Sequence, residues 1–538
     1  MTPWPALPRR LARVISVVVV AAWVVQMGLL LRHSYARTPV ALAADLARYG
    51  SSAQWKGVYY RGDKIGFSVG QTTPTALGYE LREDGRLQMT LLGAPASVRL
   101  RSLAVVDRTF ALVRFEFSLD PGTGPTEVSG ELHGRRLDLR IRTSAGERTE
   151  SRTLPEPPAL ALNLPRSLVA RGLEPGQSID VTVFDPLTLR NAPMRVEVQA
   201  REIVRAAGRP VPAFRVESRF AGIVSRSWIT DVGEVVREES PTGLLVVRET
   251  PERAQALAVP GEVQADLLEA AAIVPTPATR IDDPTTVERL RVRLRGAEGF
   301  EGPDLEGAGQ HVVGGVIEVR DPRTLQPGPA EPDLAHLLRP EPFLESDDPA
   351  VVREAERAVS GAPADPRSRA ERLLRHVHAL LEKKPTVSLP SAAEVLKTRV
   401  GDCNEHATLY VAMARALGLP ARLAAGLVYL RGAFYYHAWA EVWIAEDDLR
   451  GLWLPVDPTL NQFPADATHV RLTRGGLEKQ AAILGLVGRA RLSVEDVDLR
   501  PGSTPILVGR TAADPRPFDF ALPRRDARGG GCWSSPRR

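Results

Sequence analysis

Cysteine is nearly absent: the 538 residues contain two, Cys403 and Cys532. That excludes a disulfide framework, and a tetrahedral zinc site would need other ligands around either thiol. An excess of one charge is missing as well. The formal net charge is +4, and no cluster of Lys and Arg interleaved with aromatics stands out. No nucleic-acid partner is expected. Long apolar runs are also lacking, with one exception at the N-terminus.

That exception is Val14 to Leu31, which carries no charge. As a helix it would be about 27 Å long at ~1.5 Å per residue, enough to span the hydrocarbon of a bilayer. Arg9, Arg10 and Arg13 precede it, while Arg32 and Arg37 follow. The upstream excess of positive charge puts the N-terminus in the cytoplasm and the body outside. Ser34-Tyr35-Ala36 also has the small-x-small pattern of a signal-peptide cleavage site, so two readings stand. The length of the run favours a retained single-pass anchor. Either way the remainder is expected outside the cytoplasm, in a bacterial cell the periplasm or exterior.

What the chain does have is an ordinary globular composition, 43% apolar and 25% charged, at a length that calls for two or three domains. The patterning divides it into a stub and anchor at 1–36, a β-rich domain at 37–260, a mixed and proline-rich connection at 261–342, a mixed helix-and-strand domain at 343–499 and a poorly packed tail at 500–538. Period-2 alternation marks the second segment, at Phe115, Phe117 and Leu119, at Leu137, Leu139 and Ile141, and at Val196 and Val198. Gly62-Asp63 and Asp84-Gly85 are predicted hairpin turns. Leu290 to Leu294 reads as a strand, and Leu267 to Ala272 as a short helix. Past Phe343 the signals turn helical. Asp348-Pro349 and Asp365-Pro366 are helix starts, the first followed by an apolar face through Val352, Ala355 and Val359. Ser391-Ala392-Ala393-Glu394 is a predicted capping box. His376 and His378, two apart on a helix, point to different sides and are expected to be solvated, not metal ligands. Asp447-Asp448 reads as a turn, without calcium-loop spacing.

The chemistry concentrates at Gly401-Asp402-Cys403-Asn404-Glu405. Asp402 as N-cap and Glu405 three residues later place Cys403 in the first turn of a helix that Gly418-Leu419-Pro420 closes. Free N–H groups at a helix start favour a thiolate, so a lowered thiol pKa is expected; the alternative is an inert buried cysteine. A thiol nucleophile needs a base and a group to orient that base. Tyr436-His437-Ala438-Trp439-Ala440-Glu441-Val442-Trp443 reads as a strand with His437, Trp439, Glu441 and Trp443 on one face. A second strand through Val456 would bring Asp457 beside His437, leaving the other imidazole nitrogen for Cys403. His406 is the rival base, but its place on the helix turns it away. Trp439 and Trp443 are expected to pack, and Glu441 has no assigned role.

In order, Gly401-Asp402-Cys403, His437-Ala438-Trp439-Ala440-Glu441-Val442 and Val456-Asp457-Pro458-Thr459 resemble the three motifs of the transglutaminase-like superfamily. Ala414 to Arg422 resembles its usual link from nucleophile helix to first strand. The likeness covers roughly residues 343–499. It implies an α+β class with a papain-like core, behind the antiparallel β-rich domain and the transmembrane helix. It also implies acyl transfer through a thioester, with Cys403 as nucleophile, His437 as general base then acid, and Asp457 as orienter. The implied oxyanion hole uses the Cys403 N–H. No cofactor or metal is called for, and the implied substrate is a protein, peptide or peptidoglycan. Hydrolysis as a peptidase or amidase, cross-linking to an amine, and a non-catalytic module on the same fold remain open as alternatives.

Overall fold

A computed structural model describes residues 53–508 apart from short internal segments, the longest being 257–270, 297–302 and 385–390. Val14–Leu31, most of the helix expected from Leu267, Asp448, Cys532 and the greater part of the tail lie outside the described residues. Among the described residues no helix is long and apolar enough to cross a membrane.

The first half is one antiparallel sheet of fourteen strands. Strands β1 (Gln54–Tyr60), β2 (Asp63–Pro74), β3 (Gly78–Leu91), β4 (Ala94–Asp107), β5 (Leu112–Asp120), β6 (Thr126–His133), β7 (Arg136–Thr143) and β8 (Gly146–Thr153) pair in succession. A second arm, β9 (Ser178–Asp185), β10 (Arg190–Ala206), β11 (Arg209–Phe220), β12 (Ile223–Ile229), β13 (Val235–Glu239) and β14 (Leu244–Arg248), closes back with β14 against β1. The alternation becomes burial. Phe115, Leu137, Leu139, Val196, Val198, Phe214 and Val216 from both arms share one core with helix α1 (Leu164–Ala170). Outward residues form exposed ladders such as Arg99–Asp120, Arg142–Glu127 and Arg140–Glu147, pairs that stabilise a sheet only slightly.

Both predicted turns need correction. The first hairpin turns at Arg61-Gly62, one residue early, with φ of 49° and 98°, because a two-residue turn of this hand needs positive φ at both positions. Asp84-Gly85 is no turn. Gly85 lies inside β3, opposite Ser68 on one side and Leu100 on the other, and two long neighbours outweigh the local signal.

The second half is a mixed fold. Helices α2 (Pro349–Ala358), α3 (Pro366–Leu380) and α4 (Ala392–Thr398) surround α5 (Cys403–Ala416), which is buried along nearly its whole length. Asp348 caps α2 through the N–H groups of Ala350 and Val351. Its buried face runs through Val351, Ala355 and Ala358, in place of the Val352–Val359 face expected. Ser391 is not a capping side chain; its hydroxyl donates to Glu345 at 2.7 Å.

Beside α5 stands a five-stranded sheet in the order β18 (Gly328–Pro329), β21 (Arg450–Val456), β20 (Ala433–Ala445), β19 (Ala421–Leu430), β22 (His469–Arg474). A four-stranded sheet joins β15 (Val287–Arg295), β16 (Gln310–Val313), β17 (Val316–Arg320) and the late strand β23 (Arg491–Leu499). Leu290, Val292 and Val319 of this sheet share a core with Leu427, Tyr429 and Phe434, so packing runs continuously across residue 343. The proline-rich stretch carries short 3-10 turns at Pro322–Thr324 and Leu334–Leu338, and its Gly328–Pro329 pairs with β21.

Candidate active site

Helix α5 begins as its sequence predicts. The Asn404 N–H donates to Asp402 Oδ1 at 2.9 Å, and Glu405 Oε2 accepts from the Asp402 N–H at 2.8 Å. A Cβ at residue 401 would lie 2.2 Å from that of Glu405, so glycine is needed for the chain to enter this cap. Cys403 therefore occupies the first turn, partly buried, with the Ala438 N–H hydrogen-bonded to its thiol. Its acidity departs from expectation. Burial pushes the thiol well up, and the Asp402 carboxylate pushes further, against the Ala438 N–H. The helix start is real, yet burial and the two capping carboxylates disfavour a lone thiolate there.

His437 follows from strand pairing. β20 and β21 run antiparallel with Ala440 opposite Val456, so the residue after β21 reaches the same edge as His437. Its Nε2 lies 2.8 Å from Asp457 Oδ2. Asp457 Oδ1 accepts the N–H groups of Thr459 and Leu460 at 2.7 and 3.0 Å. Burial works against charge on Asp457, but the imidazoles of His437 and His469 outweigh it and hold the carboxyl well below its ordinary range. The indole of Trp439 stacks near the His437 ring at 6.3 Å and is 1% exposed; Trp443 packs edge-on against Trp453.

Among known proteins, the transglutaminase-like superfamily matches residues 353–458. This stretch is a transglutaminase-like domain. Three solved structures show weaker likenesses. A β-barrel-like protein of a domain of unknown function from Brucella abortus is 12% identical, over 36% of this chain and 95% of its own, with a TM-score of 0.29. A candidate cysteine protease from Cytophaga hutchinsonii is 17% identical, over 46% and 86%, at 0.24. A candidate protease from Parabacteroides distasonis is 12% identical, over 62% and 64%, at 0.19. No curated protein matches the chain.

The other histidines of this half are held by local bonds. His406 turns Nδ1 back onto the Asp402 carbonyl at 2.7 Å, and burial holds its pKa down to about 4. His376 and His378 are half-buried and bonded, where free solvation was expected: His376 Nε2 meets Glu354 at 2.7 Å, and His378 Nδ1 meets the Pro458 carbonyl at 3.0 Å. Asp447 accepts from the N–H groups of Leu449 and Arg450, as a turn residue does. Glu441 is fully buried among Arg422, Arg471 and Arg474. Burial opposes its charge, yet the three guanidinium groups bring it down to about 2. It ties β19, β20 and β22 together.

Sequence reasoning missed His469 altogether. Its Nε2 lies 3.1 Å from the same Asp457 oxygen that His437 uses. The only local hint was Asp466-Ala467-Thr468-His469, where an Asp three residues before a His can hold its ring. By donor type His437, Asp457 and His469 could hold a metal ion, since their ligand atoms lie within 4.8 Å of one another. At 2.8 and 3.1 Å, though, the two contacts to Asp457 are hydrogen-bond lengths, and we treat the trio as a hydrogen-bonded group.

Proposed function

We propose that this protein is a thiol-dependent acyl-transfer enzyme, with Cys403 as nucleophile, His437 as base then acid, and Asp457 as the group that orients the imidazole. The observation that supports this most is the 2.8 Å contact from His437 Nε2 to Asp457. It leaves His437 Nδ1 as the free nitrogen, on the residue next to the one whose N–H touches the Cys403 thiol. Because burial disfavours a lone thiolate here, the sulfur ionises by passing its proton to His437, which gives a thiolate–imidazolium pair. The thiolate attacks a carboxamide or peptide carbonyl, the C–N bond breaks as His437 protonates the leaving amine, and a thioester remains. Water activated by the same imidazole then releases the acid.

Hydrolysis of a protein, peptide or peptidoglycan substrate is the favoured outcome. Transfer to an amine, as a cross-linking enzyme would carry out, differs only in which nucleophile reaches the thioester. The uncharged N-terminal run fits a protein held in the cytoplasmic membrane with this domain outside. The test is labelling of the full chain by an activity-directed thiol probe, compared with Cys403→Ala and His437→Ala. Labelling is expected at Cys403 and lost in both variants. Labelling undiminished in His437→Ala defeats the proposal. Mass analysis after adding a glutamine peptide and an amine donor separates hydrolysis from transfer.

A further inference from the structure

The carboxylate behind His437 serves a second imidazole. Asp457 Oδ2 faces His437 Nε2 at 2.8 Å and His469 Nε2 at 3.1 Å. A carboxylate only accepts, so each of those nitrogens carries a hydrogen. The opposite nitrogen of His469, Nδ1, also meets acceptors, the Asp466 carbonyl at 3.1 Å and Asp466 Oδ1 at 3.3 Å. Asp466 is itself committed: Oδ1 accepts from the Thr468 N–H and hydroxyl at 2.9 and 2.6 Å, and Oδ2 accepts from the Gln462 amide at 2.8 Å. With both ring nitrogens donating, His469 is an imidazolium, 4% exposed and lodged between two carboxylates.

We propose that His469 is a positioning residue: as a fixed cation it shares Asp457 with His437, so that Asp466 and His469 together set how much of the Asp457 charge the general base feels. This rests on the acyl-transfer reading above and adds to it a control on the base. Burial alone would strip a proton from His469, but its hydrogen bonds and charge contacts with Asp457 and Asp466 hold it charged up to about pH 10. The charge count gives the sign. Asp457, Asp466 and His469 sum to one negative charge, which an imidazolium at His437 neutralises. Remove the cation at 469 and two negative charges stand behind His437.

Other groups face this cluster from the elements packed around it. Lys383, His378 and His406 each lie within charge range of Asp457, as does Cys403, and the Trp439 ring meets His469 edge-on at 5.2 Å. None of these makes a hydrogen bond to the His469 ring. Its charge is set by the two carboxylates.

The test reads thiol chemistry and so needs no known substrate. Iodoacetate, an anion, alkylates a thiolate beside an imidazolium faster than a lone thiolate, so its rate against pH is bell-shaped and the upper limb reports loss of the imidazolium. In the full chain, His469→Gln keeps a donor toward Asp457 and removes the charge. The upper limb is expected to move to higher pH by about one unit, the scale of one nearby charge. Asp466→Asn takes away a negative charge and leaves the cation, so it should move the limb the other way and by less. An upper limb that is unchanged or moves down in His469→Gln overturns the role of His469. The underlying reading is controlled separately. Wild type must show a bell that His437→Ala abolishes; a profile without one, or one indifferent to His437→Ala, sinks the acyl-transfer proposal instead. Circular dichroism of each variant at the same pH values checks that the fold persists, and a variant that unfolds is replaced by His469→Asn.

Discussion

The two halves of this protein use the same side chains in opposite ways. In the fourteen-stranded sheet, Arg and Glu meet on the outer face: Arg142 is 56% exposed and bonds to Glu127 and Glu147. In the half that carries the transglutaminase-like domain, Arg471 and Arg474 bond to Glu441 with that carboxylate fully buried. Water screens the first set, and side-chain entropy offsets what attraction remains. The second set has no water to fall back on, so every member depends on its partners. Long strands with alternating faces can tolerate loss of a surface pair, whereas a packed site built from charges cannot.

That contrast is open to direct tests. Glu441→Gln should destabilise the second half by about 3–5 kcal/mol, because three guanidinium groups lose a buried anion. Peptide-resolved hydrogen exchange should show faster exchange in β19, β20 and β22 with the outer sheet unaffected. Uniform loss of protection would break the distinction between halves. The same carboxylate predicts an acid limb. Its pKa falls from 4.5 to about 2 on folding, so its contribution is complete above pH 4.5 and is lost as pH drops toward 2. Acid denaturation followed by tryptophan fluorescence should be less steep over that window in Glu441→Gln.

The outer sheet has its own weak point, and it is apolar. Leu137, fully buried between the two arms, should cost roughly 2–5 kcal/mol when cut to Ala, read as a lower urea midpoint. Smaller again is the helix start: Asp402→Ala removes one side of the capping box and should cost about 1 kcal/mol. It should also increase Cys403 reactivity, since the nearest carboxylate that pushes the thiol up is gone. At the bottom stands Arg142→Ala, for which no measurable change in midpoint is expected. A clear drop there would mean the exposed ladders matter more than screening allows.

Local rules carried the sequence a long way. The capping box at Asp402 and Glu405, the strand through His437 and the antiparallel return to Asp457 follow from near neighbours, where few residues decide the outcome. The alternation at Phe115, Leu137 and Val198 likewise reports a buried face by itself. Where local signals were weak the tertiary structure overrode them. Asp84-Gly85 stays in a strand because two long strands flank it, and the Ser391 hydroxyl leaves its own helix for Glu345.

By itself, then, the chain determined most of the elements and the cap that puts Cys403 in the first turn of a helix, since these depend on spacings of two to four positions. Only the tertiary structure decided what surrounds them: that Glu441 meets three arginines, that burial and carboxylates push the Cys403 thiol up, and that Asp457 answers to two imidazoles. Burial and charge act through space, so a histidine twelve residues beyond Asp457 counts as its neighbour only once the strands have been laid side by side.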